Sequence, residues 1–118
     1  DMTYRFGDSV GAALLEPLPT AADRSLLIPI VWSGGDLPPE TYSFGLHLLD
    51  ENGTLAAQFN AGLPISPYAC QFARIEVDNL APGNYSLMLV VYNWHTGERM
   101  PVPNSVDNQH ALGTIRIK

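Results

Sequence analysis

The sequence predicts an all-β fold: a two-sheet antiparallel β-sandwich of about eight strands. Large apolar residues alternate with polar or small ones in three segments, residues 42–48, 74–78 and 114–118, and this period of two is typical of strands with one buried face. Ten prolines and ten glycines punctuate the chain, and no segment of ten or more residues shows a helical period. Short strands separated by turn residues are typical of sandwiches and barrels.

Eight segments are expected to form the strands, near residues 3–6, 11–18, 25–32, 41–49, 54–59, 73–78, 84–93 and 111–117. The runs at residues 26–32 and 85–92 are apolar on both faces, which predicts central strands or strands that a neighbouring domain or loop covers. Pro29 has no backbone N–H, so its strand is expected to lie at a sheet edge or to carry a bulge. Spacing alone leaves an immunoglobulin-like and a jelly-roll strand order open.

Three local features predict turns and core positions. Asn52-Gly53 is a strong hairpin signal between two strands. The segment 80–85, Leu-Ala-Pro-Gly-Asn-Tyr, precedes a strongly apolar strand. A tyrosine at this corner of immunoglobulin-like sandwiches packs inward and hydrogen-bonds the backbone a few residues upstream, and we expect this of Tyr85. Trp32 is in phase with the apolar residues of its strand, which favours a position in the core.

The chain length fits one domain. A chain of 118 residues buries roughly two-thirds of its unfolded surface, which is enough for a hydrophobic core without disulfides or metal. We therefore assign residues 1–118 to a single sandwich domain. Because the chain begins at Asp1 without an initiator methionine or a signal-peptide pattern, we expect it to be a fragment of a longer protein.

The charge pattern argues against two classes of partner. Twelve acidic and six basic residues give a net charge of −6, and the basic residues are scattered, whereas a phosphate-binding surface needs clustered lysines and arginines. Nucleic acid and anionic membrane surfaces are therefore not expected partners. No stretch reaches the roughly 18 apolar residues of a membrane span, so this segment is not expected to insert into a membrane. The single cysteine, Cys70, cannot form an internal disulfide and is expected to be a buried or incidental thiol.

No pattern of catalytic or metal-binding residues is present. His47, His95 and His110 lack the spacing of a metal motif. Alternation places His47 on the polar face of its strand, and the other two are expected in exposed loops. There is no Gly-x-Ser-x-Gly elbow, so we expect no enzyme activity, no cofactor and no metal. Two alternatives stay open: a Ca²⁺ site assembled from separate loops, and a small enzyme that uses carboxylates from separate loops.

Aromatic residues at one strand end suggest a ligand-binding surface. Trp94 follows Tyr92 at the end of its strand and precedes His95. Sugar-binding modules use exposed tryptophan and tyrosine rings as stacking platforms, because these side chains combine a large apolar face with a polar group. Tyr92, Trp94 and His95 are therefore the candidate ligand-binding residues. The alternative is that they cover a sheet face against a loop.

The order of short motifs along nearly the whole chain resembles a known domain family. The motifs are Phe6-Gly7-Asp8, a strand ending at Trp32, a hydrophobic-His-Leu-Leu-Asp-x-x-Gly hairpin at residues 46–53, and Pro-Gly-x-Tyr followed by Tyr-x-x-x-Thr-Gly-x-Arg-x-Pro within residues 82–101. In this order they resemble the extracytoplasmic β-sandwich domain of bacterial integral-membrane glycosyltransferase-like proteins of the protein O-mannosyltransferase type.

The resemblance implies a position at the cell surface or the periplasmic side, attached through a parent membrane protein. It carries over no catalytic residue, because the chemistry of such proteins belongs to their membrane portion. On this basis we expect a non-catalytic accessory domain that contacts a glycan, an acceptor or the parent protein. Two alternatives remain: a free-standing carbohydrate-binding module, and a purely structural or adhesive sandwich domain.

Overall fold

The chain folds into nine β-strands in two sheets, in a computed structural model that describes residues 2–34, 37–38, 40–64 and 69–118. The predicted all-β, two-sheet fold is confirmed. The strands are β1 Tyr4–Phe6, β2 Val10–Leu14, β3 Ala21–Ala22, β4 Ser25–Ser33, β5 Tyr42–Leu49, β6 Leu55–Gly62, β7 Ala69–Glu76, β8 Gly83–Asn93 and β9 His110–Ile117. None of the described residues forms a helix of the length and hydropathy that crossing a membrane requires.

The assignment of residues 1–118 to one domain stays a prediction. That span includes Asp1, Gly35, Asp36, Pro39 and residues 65–68, which lie outside the described residues.

The strand order is immunoglobulin-like. One sheet has the order β1-β2-β4-β7 and the other the order β3-β9-β8-β5-β6. Strands β2, β4 and β7 take the places of strands A, B and E of the immunoglobulin fold, and β9, β8, β5 and β6 take those of G, F, C and C′. The pairing of β3 with β9 is parallel and the other strand pairings are antiparallel. Of the two orders that spacing left open, the structure has the immunoglobulin-like one.

The core lies between the two sheets and consists of alternate residues, as a period of two requires. Six inward positions of β5 and β8 are fully buried: Phe44, Leu46, Leu48, Leu87, Leu89 and Val91. Trp32 on β4 is 1% exposed, and its ring centroid lies 5.0 Å from that of Phe44. The predicted core position of Trp32 is confirmed.

Tyr85 forms the predicted tyrosine corner at the start of β8. Its side chain is 7% exposed, and its hydroxyl donates a hydrogen bond of 2.7 Å to the carbonyl oxygen of Ala81. This bond ties the turn before β8 to the strand itself, and it confirms the interpretation of residues 80–85.

The Asn52-Gly53 turn joins β5 to β6, as predicted. Asp50 Oδ1 accepts hydrogen bonds from the backbone N–H groups of Asn52 and Thr54, each 2.9 Å long. Gly53 has a φ of 80°, a left-handed conformation that glycine adopts without steric cost. The turn fixes the register of two of the strands that carry the candidate site.

Several elements differ from the expectation. The strand expected near residues 11–18 is Val10–Leu14, and the strand expected near residues 73–78 is Ala69–Glu76. β3 has only two residues, Ala21–Ala22, which is too short to leave a periodic signal in the sequence. His110 is the first residue of β9 and not part of an exposed loop. It is partly buried, and its Nε2 lies 2.7 Å from the carbonyl oxygen of Arg5.

Pro29 lies in an inner strand, contrary to the expected edge or bulge. β4 pairs with β2 on one side and with β7 on the other, and the register with β7 runs evenly through Pro29. The Pro29 carbonyl accepts a hydrogen bond of 3.0 Å from the N–H of Leu15, and the N–H and C=O of a strand residue point to the same side. The backbone nitrogen of Pro29 therefore faces the side on which β2 ends, at Leu14. The pairing of β2 with β4 has ended there, so it requires no N–H donor at this position.

The outer face of the four-stranded sheet carries exposed apolar side chains. Leu27 on β4 is 53% exposed, Phe72 on β7 is 61% exposed, and Leu15 just beyond β2 is 53% exposed. Cys70 is also exposed on β7, so the expectation of a buried thiol is wrong and the incidental surface thiol remains. We call Leu15, Leu27 and Phe72 the apolar face.

Candidate functional site

Polar side chains gather on the outer face of the five-stranded sheet. His47 and Tyr92 alternate with buried neighbours on β5 and β8, so they point away from the core. The register places His47 opposite Gln58 and places Asn60 opposite Gly45. Three adjacent strands, β6, β5 and β8, therefore bring these side chains onto one surface.

These residues line a groove of about 280 Å³, which we call the face groove. Its described lining includes His47, Gln58, Asn60, Val90, Tyr92 and Arg99. Val90 is on the outer face of β8 and is nevertheless 0% exposed, so it forms an apolar floor beneath the polar side chains. The volume lies just below the roughly 300–1,000 Å³ that small-molecule sites occupy.

Gly45 creates the space in which the polar side chains lie. A β-carbon at this position would lie 2.6 Å from Asn60 Oδ1, 3.0 Å from His47 Nε2 and 3.2 Å from Val90 Cγ2. The first two approaches are well below the ordinary contact distance between non-bonded atoms. Glycine therefore lets the side chains of Asn60 and His47 close over β5. A glycine inside a strand is typical of a site where other groups approach the backbone.

Hydrogen bonds hold the amide side chains of the groove in place. The Tyr92 hydroxyl donates to Asn60 Oδ1 at 3.3 Å, and Asn60 Nδ2 donates to Gln58 Oε1 at 2.9 Å. We call these three side chains the polar row. Gln58 is exposed, and its Nε2 amino group donates to no other described residue. Side chains held in place on strands lose less conformational entropy when a ligand binds.

A tight turn after β8 brings Arg99 back beside Tyr92. Asn93 Oδ1 accepts two hydrogen bonds from the backbone of the turn, at 2.9 and 3.3 Å, and Gly97 has a φ of 78°. Tyr92 and Arg99 then pair as an antiparallel bridge. The Arg99 guanidinium is held by a hydrogen bond of 2.9 Å from its Nη1 to the carbonyl oxygen of Asp107.

A second groove, of about 440 Å³, adjoins the first and shares Arg99 with it. We call it the end groove. Its described lining also includes Tyr42, Asn93, Glu98, Met100 and Asn108. Arg99 is the residue that the two described linings have in common.

The environment of His47 favours the neutral imidazole. Burial lowers the pKa of His47 below its usual value of 6.5, and the positive charge of Arg99 lowers it further. A neutral imidazole presents one N–H donor and one acceptor nitrogen. The prediction of an outward position on the strand is correct, but the expectation that His47 is exposed is not, because the groove leaves this side chain partly buried.

The structure places the three residues proposed from the sequence on two neighbouring surfaces. Tyr92 lines the face groove. Trp94 is 53% exposed and stacks on His95, with ring centroids 3.8 Å apart, and its Nε1–H donates a hydrogen bond of 2.6 Å to the Glu40 carbonyl. Trp94 and His95 lie outside the described lining of both grooves. The ligand-binding role of the three residues stays a prediction.

The chemistry that the grooves offer is binding by polar groups. Glu98 is the one carboxylate among the described lining residues, whereas hydrolysis of a glycosidic bond typically uses two carboxyl groups. Over the described part of the chain, no three His, Cys, Asp or Glu side chains are grouped so that they could hold a metal ion. The polar groups in the two described linings are four amides, one imidazole, two phenols, one carboxylate and one guanidinium.

Four polar residues of the face groove were not identified from the sequence: His47, Gln58, Asn60 and Arg99. Polar residues occupy outward positions on both sides of Gly45, and this pattern was visible in the sequence. The groove itself forms through the pairing of β6 with β5 and through the return of the chain at Gly97, and both depend on register.

Comparison with known proteins supports the fold. No protein-family model matches the chain, and no curated protein matches it. Among solved structures, the CARDB domain of the PF1109 protein from Pyrococcus furiosus, crystallised in complex with di-metal ions, is similar with a TM-score of 0.50 and 14% sequence identity. The match covers 100% of this chain and 94% of that one. At this identity the likeness shows a shared β-sandwich fold.

Proposed function

We propose that this chain is a non-catalytic accessory domain that contacts carbohydrate outside the cytoplasm, as part of a membrane-anchored protein of glycosyltransferase type. The observation that carries the binding role is the polar row, Tyr92, Asn60 and Gln58, which lies beside the apolar floor of Val90 on a regular sheet. Binding sites on strands hold their side chains more precisely than sites on loops.

The groups of the face groove suit a sugar. A sugar hydroxyl donates one hydrogen bond and accepts others, and an amide side chain offers both a donor and an acceptor. The neutral imidazole of His47 offers one of each as well. The carbon-bound face of a sugar ring is apolar, and it matches the Tyr92 ring and the floor at Val90.

The attachment to a membrane protein rests on the order of motifs in the sequence. The turn residues of those motifs have structural roles here, as at Gly53 and Gly97. The test is the complete reading frame that contains this chain. We expect it to encode membrane-spanning segments beside this domain. A complete reading frame without any such segment, and without an anchor, would refute this part of the proposal.

The binding role is tested by screening the 118-residue chain against an array of neutral and acidic oligosaccharides, followed by calorimetric titration with the ligands found. Asn60→Ala removes the centre of the polar row and is expected to weaken binding at least tenfold. Asn84→Ala is the matched control, because Asn84 is exposed at the opposite end of β8. Binding that is unaffected by Asn60→Ala would place the sugar site elsewhere and contradict the proposal.

A structural or adhesive role is the second candidate, and the apolar face favours it. Exposed apolar patches on soluble domains mark protein contacts more often than sugar contacts. If the array shows no sugar binding, this candidate gains support. Its own test is the replacement of Phe72 by serine, which is expected to leave the sandwich folded while weakening any association seen by sedimentation.

A further inference from the structure

The recognition of sugar hydroxyls does not explain why a positively charged side chain, that of Arg99, lines the grooves. It contributes to the lining of both grooves and is partly buried. The chain has a net charge of −6, so a cation held in a depression of this surface contrasts with its surroundings. A neutral ligand would not require it.

The charge of Arg99 is not neutralised within the described part of the chain. The ion pair found there joins Arg74 to Glu76 at 3.3 Å. Arg99 instead donates to a neutral acceptor, the carbonyl of Asp107. A guanidinium has five N–H donors. One of the five is used in this bond, which leaves four without a partner among the described residues.

The positive potential of Arg99 reaches into the face groove. Arg99 and His47 line the same groove, and the positive charge of Arg99 adds to burial in lowering the pKa of His47. An anionic group bound beside Arg99 in the face groove would meet this potential directly. A guanidinium binds carboxylate and phosphate oxygens through two parallel hydrogen bonds, which makes it more selective than an amide or imidazole.

We infer that the grooves recognise an acidic glycan, in which an anionic oxygen group on one sugar ring binds the Arg99 guanidinium while the polar row binds the hydroxyls. This inference rests on the proposed carbohydrate contact and names the class of sugar. It assigns Arg99 the role of a specificity-determining residue. The anionic group is a carboxylate on the ring or a phosphate ester, and both have the same chemistry at the guanidinium.

The test compares matched acidic and neutral ligands by calorimetric titration of the 118-residue chain. The first pair is trigalacturonic acid and its trimethyl ester, which share every ring atom and differ in charge. The second pair is glucose 6-phosphate and glucose. We expect the acidic member of at least one pair to bind about tenfold or more tightly, because hydrogen bonds to charged groups are stronger than neutral ones. The preference should shrink as salt is raised.

Three variants assign the preference to Arg99. Arg99→Gln keeps a hydrogen-bonding side chain but removes the charge. This variant should bind the two ligands of the pair with equal affinity. Arg99→Lys keeps the charge and should retain part of the preference. Arg74→Gln is the matched control on the other sheet and should behave as the unmodified chain. A preference that survives Arg99→Gln in a protein with an unchanged amide NMR spectrum would overturn the inference.

The outcomes separate this inference from the proposed function. Equal binding of the acidic and neutral members, with loss of both in Asn60→Ala, would refute acidic recognition and leave the carbohydrate contact standing. Binding of none of the sugars would refute both. Preference in the phosphate pair alone would support the inference and identify the phosphate ester as the source of the anion.

Discussion

The Tyr92 hydroxyl lies 3.3 Å from Asn60 Oδ1, and this hydrogen bond joins β8 to β6 across the intervening strand β5. It can form because β5 has Gly45 opposite Asn60, where any side chain would occupy the place of the Asn60 amide. The polar surface of this domain is therefore a property of three paired strands and their register. No single segment contains it.

Gly45→Ala is expected to weaken oligosaccharide binding about tenfold while leaving the domain folded. The new β-carbon would lie 2.6 Å from Asn60 Oδ1 and would displace that amide from its bonds with Tyr92 and Gln58. A loss of roughly 1.4 kcal/mol corresponds to a tenfold change in affinity. Calorimetric titration measures the change.

The control for this variant is Gly62→Ala. Gly62 is also on the five-stranded sheet, in β6, and a β-carbon there meets nothing within 4 Å. Both variants carry the same change of backbone freedom. Similar affinities for the two variants would contradict the role given to Gly45.

Tyr85→Phe is expected to lower the free energy of unfolding by about 1 kcal/mol, since it removes a single partly buried hydrogen bond. The bond is that from the Tyr85 hydroxyl to the Ala81 carbonyl, 2.7 Å long. Urea denaturation followed by tryptophan fluorescence measures the difference. Tyr4→Phe is the control, because the Tyr4 hydroxyl bonds no other described residue. An equal effect of the two variants would show that the tyrosine corner adds no stability.

Asp50→Ala is expected to cost about 1 kcal/mol, because Asp50 Oδ1 accepts two backbone hydrogen bonds in the β5–β6 turn. Its neighbour Glu51 is exposed in the same turn, so Glu51→Ala removes a carboxylate of the same charge without those bonds. Thermal unfolding of the two variants gives the comparison. If Glu51→Ala were as destabilising as Asp50→Ala, the effect would be one of charge and not of the turn.

Acidification is expected to destabilise the protein through His47. Burial and the charge of Arg99 lower the pKa of His47 below 6.5 in the folded chain, so the unfolded chain takes up a proton at a higher pH than the folded one. The contribution of neutral His47 to stability is therefore complete above pH 6.5 and is lost as the pH falls toward the lowered pKa.

His47→Gln should make the free energy of unfolding less sensitive to acid over this interval. Urea denaturation at a series of pH values measures the slope for the unmodified chain and the variant. His95→Gln serves as control, because His95 is exposed at the turn after β8. An identical slope in the unmodified chain and His47→Gln would contradict the burial of the imidazole in the groove.

The sequence predicted the features that depend on local chemistry. Alternation identified the strand around Phe44, and a run of apolar residues identified the strand around Leu89. The Asn52-Gly53 dipeptide identified a hairpin, and the Pro-Gly-x-Tyr segment identified the bond of Tyr85. Each depends on residues close together in the chain. The two-residue strand β3 gave no periodic signal, because two residues complete a single alternation.

Features that depend on pairing between distant segments were not predicted. The spacing of strands along the chain is the same for immunoglobulin-like and jelly-roll orders, so the strand order could be determined only from the structure. The edge position expected for Pro29 was wrong because β2 ends just before it, which the sequence does not show. His47 was assigned to the correct face but not to a groove, because its cover comes from Arg99, which is 52 positions further along the chain (99 − 47).

The most direct test of acidic-glycan binding in the face groove is an amide NMR titration of the ¹⁵N-labelled chain with trigalacturonic acid, its trimethyl ester and neutral oligosaccharides. We expect saturable shifts at the side-chain amides of Gln58 and Asn60 and at the backbone of Tyr92 and Arg99, and we expect them to be larger for the acid than for its ester. Shifts that are confined to the apolar face, or to Trp94 and His95, would contradict binding in the face groove. The absence of shifts with all of these sugars would contradict it as well.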